Sequence, residues 1–74
     1  MSPYDVRELF LRKLYDLSKG KIIPIFRHEV GKEFNLSTDE TDAIVTELEA
    51  AGKIKKVAGI GIMLTLQAIN EMKQ

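Results

Sequence analysis

Between positions 38 and 51 the apolar residues fall at helical spacing: Thr41, Ile44, Val45 and Leu48 lie on one stripe at about 100° per residue, and the positions between them are small, polar or acidic. The same period appears earlier in the chain. From Pro3 to Ser18, the residues Val6, Leu9, Phe10, Leu14 and Leu17 predict a core-facing helix, with Ser2 as N-cap, Pro3 in the first helical position and Gly20 as the left-handed residue that ends it. Ile22-Ile23 predicts a very short extended segment, because a residue that precedes proline is pushed toward the β region. Pro24 then opens a second helix in which Phe26, Val30 and Phe34 repeat every four residues. Gly31 sits inside that helix at a cost of roughly 1 kcal/mol against Ala, which predicts that another helix crosses closely there. Asn35 tolerates a left-handed turn, and Leu36 plugs the space between helices.

Ser37 followed three positions later by Glu40 makes a capping box, so the third helix has a specified start. Gly52 ends it. Lys53 to Val57 and Ile62 to Thr65 read as two short strands around Ala58-Gly59-Ile60-Gly61, a β-hairpin. Thr65 caps a last helix through Gln74, with Ile69 and Met72 facing inward and Leu66 or Ala68 at the margin. The fold class this predicts is α+β and mostly α, in one domain of 74 residues.

Helix, short strand, helix, turn, helix, hairpin and final helix is an order that resembles the winged helix-turn-helix superfamily, and the resemblance covers nearly the whole chain. It is carried by the turn Phe34-Asn35-Leu36-Ser37, by the run Leu48-Glu49-Ala50-Ala51-Gly52-Lys53-Ile54, and by Leu64-Thr65 at the start of the last helix. The resemblance implies a three-helix helix-turn-helix core, a hairpin wing and a C-terminal helix. It also implies duplex DNA as partner and transcriptional regulation as the task, with the helix 38–51 in the major groove and the wing beside the backbone. On that basis Arg27, Thr38, Thr46, Lys53, Lys55 and Lys56 are the expected nucleic-acid contacts.

Charge runs against this implication. Lys plus Arg and Asp plus Glu each number 11, so the net charge is zero and any attraction to a polyanion has to come from a local patch. The third helix holds Asp39, Glu40, Asp42, Glu47 and Glu49 and no Lys or Arg. Asp39 and Glu40 suit the first turn, where acids favour the helix dipole. Glu47 and Glu49 lie near the opposite end. The outward face is centred on Asp39, Ala43, Thr46 and Ala50 and flanked by Asp42 and Glu47. A compensating patch would draw on Lys19, Lys21, Arg27, His28, Lys32 and the three wing lysines, which on an edge strand also serve to discourage aggregation. The wing tip has no base at all, and Ile60 there either folds back on the domain or meets an apolar partner. The alternative function is therefore a winged helix that binds protein and not DNA, through Asp42, Glu47 and Ile60.

Tyr4, Leu11 and Tyr15 form a second stripe on the first helix, opposite the core stripe. Either the last helix covers it, or it is the seam of a homodimer built through the first and last helices. Catalytic chemistry is not expected. The chain has no cysteine and one histidine, His28, without a second ligand at metal spacing, and no phosphate-binding loop or nucleophile set, so no enzyme activity, metal or cofactor is expected. No apolar run approaches the length that spans a bilayer and no signal-peptide core follows Met1, which gives a cytoplasmic expectation without membrane association.

Overall fold

The computed structural model describes residues 5–73. Its element order is α1 (Val6–Ser18), β1 (Ile25–Phe26), α2 (Arg27–Lys32), α3 (Thr38–Ala50), β2 (Ile54–Val57), β3 (Gly61–Leu64) and α4 (Leu66–Met72). The strands form one antiparallel sheet in the order β1-β3-β2, so β3 is central and the strand after α1 is reached only through long-range pairing, Ile25 with Ile62 and Phe26 with Gly61. The described residues share one hydrophobic core, drawn from all four helices and from β2 and β3.

The helix boundaries follow from capping. Asp5 is the N-cap of α1, its carboxylate accepting from the Arg7 backbone N–H at 2.9 Å. The expected cap and first turn at Ser2 and Pro3 lie outside the described residues, and the helix begins at Val6. At its other end Lys19 takes the left-handed position (φ 56°), with Gly20 N–H donating to Tyr15 O at 2.9 Å and Lys19 N–H to Asp16 O at 3.2 Å. This is a Schellman motif in which Lys19 takes the position before Gly20, and Gly20 is left-handed as expected (φ 70°). At the start of α3 the capping box forms in full: Ser37 Oγ accepts from Glu40 N–H at 3.1 Å, and Glu40 Oε1 accepts from Ser37 N–H at 2.9 Å. Gly52 (φ 77°) ends α3 with the same motif, Lys53 N–H donating to Leu48 O at 2.9 Å and Gly52 N–H to Glu49 O at 3.0 Å. That motif accounts for the run Leu48 to Ile54, since it turns the chain directly from helix into β2.

The α3 stripe is buried as its period requires, at Thr41, Ile44, Val45 and Leu48. In α1 the buried stripe is Phe10, Leu11, Leu14 and Ser18, while Val6 and Leu17 remain exposed. The helix is thus rotated about its axis relative to the predicted stripe. Val6 and Leu17 stand at its two ends, and the middle of the helix decides which side meets the sheet and α2. Ser18 is buried without cost because its hydroxyl donates to Tyr15 O at 3.2 Å.

Two expectations around Pro24 are corrected. The strand is Ile25–Phe26 and not Ile22-Ile23, and Pro24 does not open α2. Strand β1 is fixed by its partner β3, whose free edge faces residues 25 and 26, and α2 is left with six residues and Phe26 as an exposed N-cap. The hairpin strands are likewise displaced by a residue, with Gly61 inside β3. A Cβ at Gly61 would lie 2.8 Å from Val57 O, so glycine is what allows the central strand to close on β2 there. In α4, capped by Thr65 Oγ1 accepting from Ala68 N–H at 3.2 Å, Ala68 enters the core with Ile69 and Leu66 faces solvent. Among the described residues, no helix is long and apolar enough to cross a membrane.

Candidate nucleic-acid interface

The surface expected to meet DNA is formed by the outer face of α3, the start of α2 and the β2–β3 hairpin. Its only strongly placed base is Arg27, and that side chain is turned inward, 12% exposed. Its guanidinium donates from Nε to Ile60 O at 3.3 Å, from Nη2 to Gly59 O, and from Nη1 to Asp42 Oδ1 at 3.3 Å. Its backbone N–H also reaches Ile60 O, at 3.2 Å. Arg27 therefore ties the hairpin tip to α2 and α3. The tip needs such a tie because Ala58 and Gly59 both have positive φ, 44° and 76°, and the turn has no core contact of its own to hold it.

Asp42 is the acceptor of that tie, which gives it a structural reason that the sequence left open. His28 Nε2 lies 3.8 Å from the same carboxylate oxygen and is buried without a hydrogen-bond partner. The ring is half-buried. Each of the other late acids of α3 also faces a base from elsewhere in the fold. Glu47 pairs with Arg7 of α1 at 3.1 Å and Glu49 with Lys56 of β2 at 3.7 Å. These acids are neutralised at home, so α3 is less acidic in the fold than in the sequence.

The same pairings use up expected phosphate ligands. Lys53 bonds to Glu71 of α4, and Lys56 faces Glu49. Lys55 stands exposed on the edge strand and has no ion pair among the described residues. Thr46 sits on the outer face of α3 with its hydroxyl donating back to Asp42 O at 2.9 Å, and Thr38 is exposed in the first turn. Of the expected basic contacts, Arg27, Lys53 and Lys56 thus face acids of the same chain and Lys55 does not. Ile60 is 48% exposed at the hairpin tip.

Compared with models of protein families, with curated proteins and with solved structures, the chain matches none.

Where it is described, the second stripe of α1 packs against the chain's own core. Leu11 belongs to the chain's own core at 9% exposure, and Tyr15 is half-buried against that core, its ring so close to Gly20 that a Cβ there would sit 2.9 Å from it. Tyr4 lies outside the described residues. Among those residues there is no group of three or more His, Cys, Asp or Glu side chains that could hold a metal ion.

Two carboxylates at helix starts carry shifted acidities. Asp5 is pulled from 3.8 to about 2, chiefly by side-chain hydrogen bonds from Arg7, which approaches it at 2.7 Å. Glu40 is held below its ordinary value by the Ser37 backbone N–H in the capping box. Both groups are more acidic folded than unfolded, so their stabilisation is complete above the unfolded values and is lost as pH falls through the folded ones. Acid unfolding should therefore steepen below pH about 4.5, the ordinary Glu40 value. Glu40→Gln keeps the box but cannot titrate, so its unfolding midpoint should depend less on pH in that window. An unchanged pH slope in that variant would remove Glu40 from the account.

Arg27→Met tests the tie to the hairpin. The variant leaves the Gly59 and Ile60 carbonyls to water and Asp42 without its cation, at an expected cost of about 1–2 kcal/mol. Amide exchange in β2 and β3 next to the turn should accelerate while exchange in α1 keeps its protection beyond the global change. Uniform acceleration across the chain would mean that Arg27 holds no local element.

Proposed function

We propose that this chain is a winged-helix domain that serves as a protein-interaction module and does not bind duplex DNA. The winged-helix reading is supported by the element order, by the sheet order β1-β3-β2 and by the contact of α2 with α3 across the turn at Asn35, which is left-handed (φ 55°).

The observation that carries the choice of partner is the internal use of the bases. Arg27, Lys53 and Lys56, three of the six residues a DNA reading relies on, face Asp42, Glu71 and Glu49 of the same chain. Phosphate contacts supply most of the affinity of a DNA-binding surface. To make them here the chain would break its own pairs and leave Asp39, Asp42 and Glu49 beside the polyanion. Loss of the Arg27 tie would also release the hairpin, so the residue cannot serve phosphate and wing at once. What the surface offers instead is apolar: Phe26 at 56% exposure at the start of α2 and Ile60 at 48% at the hairpin tip, in segments joined by the Arg27 N–H to Ile60 O bond. An exposed aromatic and an exposed aliphatic residue suit the apolar centre of a protein interface.

The test is an anisotropy titration of mixed-sequence duplex DNA at low salt with protein to high micromolar concentration. No binding is expected. Affinity that falls linearly with the logarithm of salt concentration would return the chain to the DNA-binding regulators.

A further inference from the structure

We propose that the outer face of the three-stranded sheet is the docking surface, and that it takes an acidic amphipathic segment of a partner protein with Lys55 selecting its charge. The inference rests on the protein-module reading and names the partner's chemistry. The strand register fixes which side chains share this face. Lys55 is paired with Met63, and Val57 and Phe26 are both paired with Gly61, so Lys55, Met63, Val57 and Phe26 all project away from the helices. Ile54, Ile62 and Leu64 point the other way into the core. Strand β3 is apolar on both sides, as strands covered on both faces are, yet its outer side is left half-open at Met63.

Beside Met63 and Lys55 lies a hollow of about 550 Å³ whose rim includes Ile22 and Leu66. Ile22 is 47% exposed and Leu66 63%, the highest of any large apolar residue described. With Phe26, this side of the sheet and the hollow beside it hold three exposed large apolar residues, and no element among the described residues covers them.

Charge identifies the occupant. Lys55 projects from this face and Lys21 adjoins Ile22, and neither has an ion pair among the described residues. Glu49, the acid on the rim of the hollow, is turned to Lys56 at 3.7 Å. The face is therefore apolar with uncompensated positive charge. A second copy related by a two-fold axis would bring this face against itself and set lysine against lysine, which opposes self-association. A segment with an apolar stripe and flanking carboxylates satisfies both components. An anionic membrane offers the same charge, but the chain has zero net charge and its face is a hollow, where a lipid surface favours a projecting apolar ridge.

Isotopically labelled chain is titrated with a synthetic helical peptide that has a leucine face and a glutamate face, and separately with its lysine counterpart. The glutamate peptide should shift the amides of Ile22, Phe26, Lys55, Met63 and Leu66. Lys55→Glu should weaken it about tenfold and admit the lysine peptide. The proposal is overturned by equal binding of the two peptides, by shifts located elsewhere, by no shifts at all, by co-sedimentation with anionic vesicles, or by a dimer whose formation needs this face. Duplex DNA is a separate arm. A chain that leaves both DNA and peptide unbound loses this surface and keeps the protein-module reading, while DNA binding removes that reading itself.

Discussion

Gly31→Ala is expected to destabilise the domain by about 2 kcal/mol, although alanine is the better helix former by roughly 1 kcal/mol. A Cβ built at Gly31 would lie 2.2 Å from Thr41 Oγ1 and 3.3 Å from both Thr41 Cβ and Cγ2. Thr41 is β-branched, 1% exposed and held on the buried stripe of α3, so it has little freedom to turn away. Overpacking of this kind typically costs 1–3 kcal/mol, which outweighs the gain in propensity. For a domain of this size a loss of about 2 kcal/mol lowers the melting temperature by roughly 8–16 °C. Removing the obstacle supplies the control. Thr41→Ala alone leaves a void, but combined with Gly31→Ala it gives the new methyl group a place. The double variant should be more stable than the sum of the two single losses by at least about 1 kcal/mol. Strict additivity in thermal or denaturant unfolding would show that α2 and α3 do not meet closely at this pair.

Leu11→Ala has the other large expected effect, a loss of about 2–3 kcal/mol, toward the low end for a buried leucine because one side of Leu11 borders a groove of about 360 Å³. The groove lies between the start of α1, the end of α3 and α4, with Leu48 and Met72 beside Leu11 and Arg7, Glu47, Lys53 and Glu71 around it. The loss should be the same at every protein concentration, because Leu11 contributes to the core of a single chain. If Leu11 instead formed a dimer seam, the wild type would melt higher as concentration rose and the variant would lose that dependence. Thermal scans over a wide concentration range distinguish the two. A wild-type melting temperature that rises with concentration and a variant that does not respond would overturn the core assignment.

The two variants test different kinds of legibility. Gly31 was readable as a close approach because a glycine within a helical period needs a reason, and its neighbour proved to be α3. Leu11 was only half readable, as a residue either covered by the last helix or part of a dimer seam. On a helical wheel it lies off the stripe of Val6, Phe10 and Leu17, and the sequence could not say that α1 would turn Leu11 and Ser18 toward the core and leave Val6 and Leu17 at its ends in solvent. Period gives the existence of a stripe. The orientation of a helix with apolar residues on more than half its circumference is settled by what packs against it.

The acids of α3 show the same division. Glu40 was assigned correctly from sequence because a capping box acts over three residues. Asp42, Glu47 and Glu49 had no local reason because their partners are remote: Arg27 lies 15 positions away and Arg7 lies 40. The exposed pairs of Glu47 and Glu49 contribute little stability individually. They alter the functional reading, since each base they engage is one fewer for a phosphate. The outer sheet face was missed for a related reason. Gly61 to Leu64 is an uninterrupted apolar run, and such a run does not reveal which of its sides another element will cover.

By itself the sequence determined the local structure: the start of α3 at Ser37, its end at Gly52, the left-handed turn at Asn35, the hairpin around Gly59 and the cap of α4 at Thr65. Each depends on hydrogen bonds or backbone preferences that span a few residues. Only the tertiary structure decided that residues 25 and 26 form a strand, that Leu11 is core, that Arg27 secures the hairpin, and that the late acids of α3 are paired. Those outcomes depend on atoms brought together by folding from distant parts of the chain, and no local preference encodes which distant groups will meet.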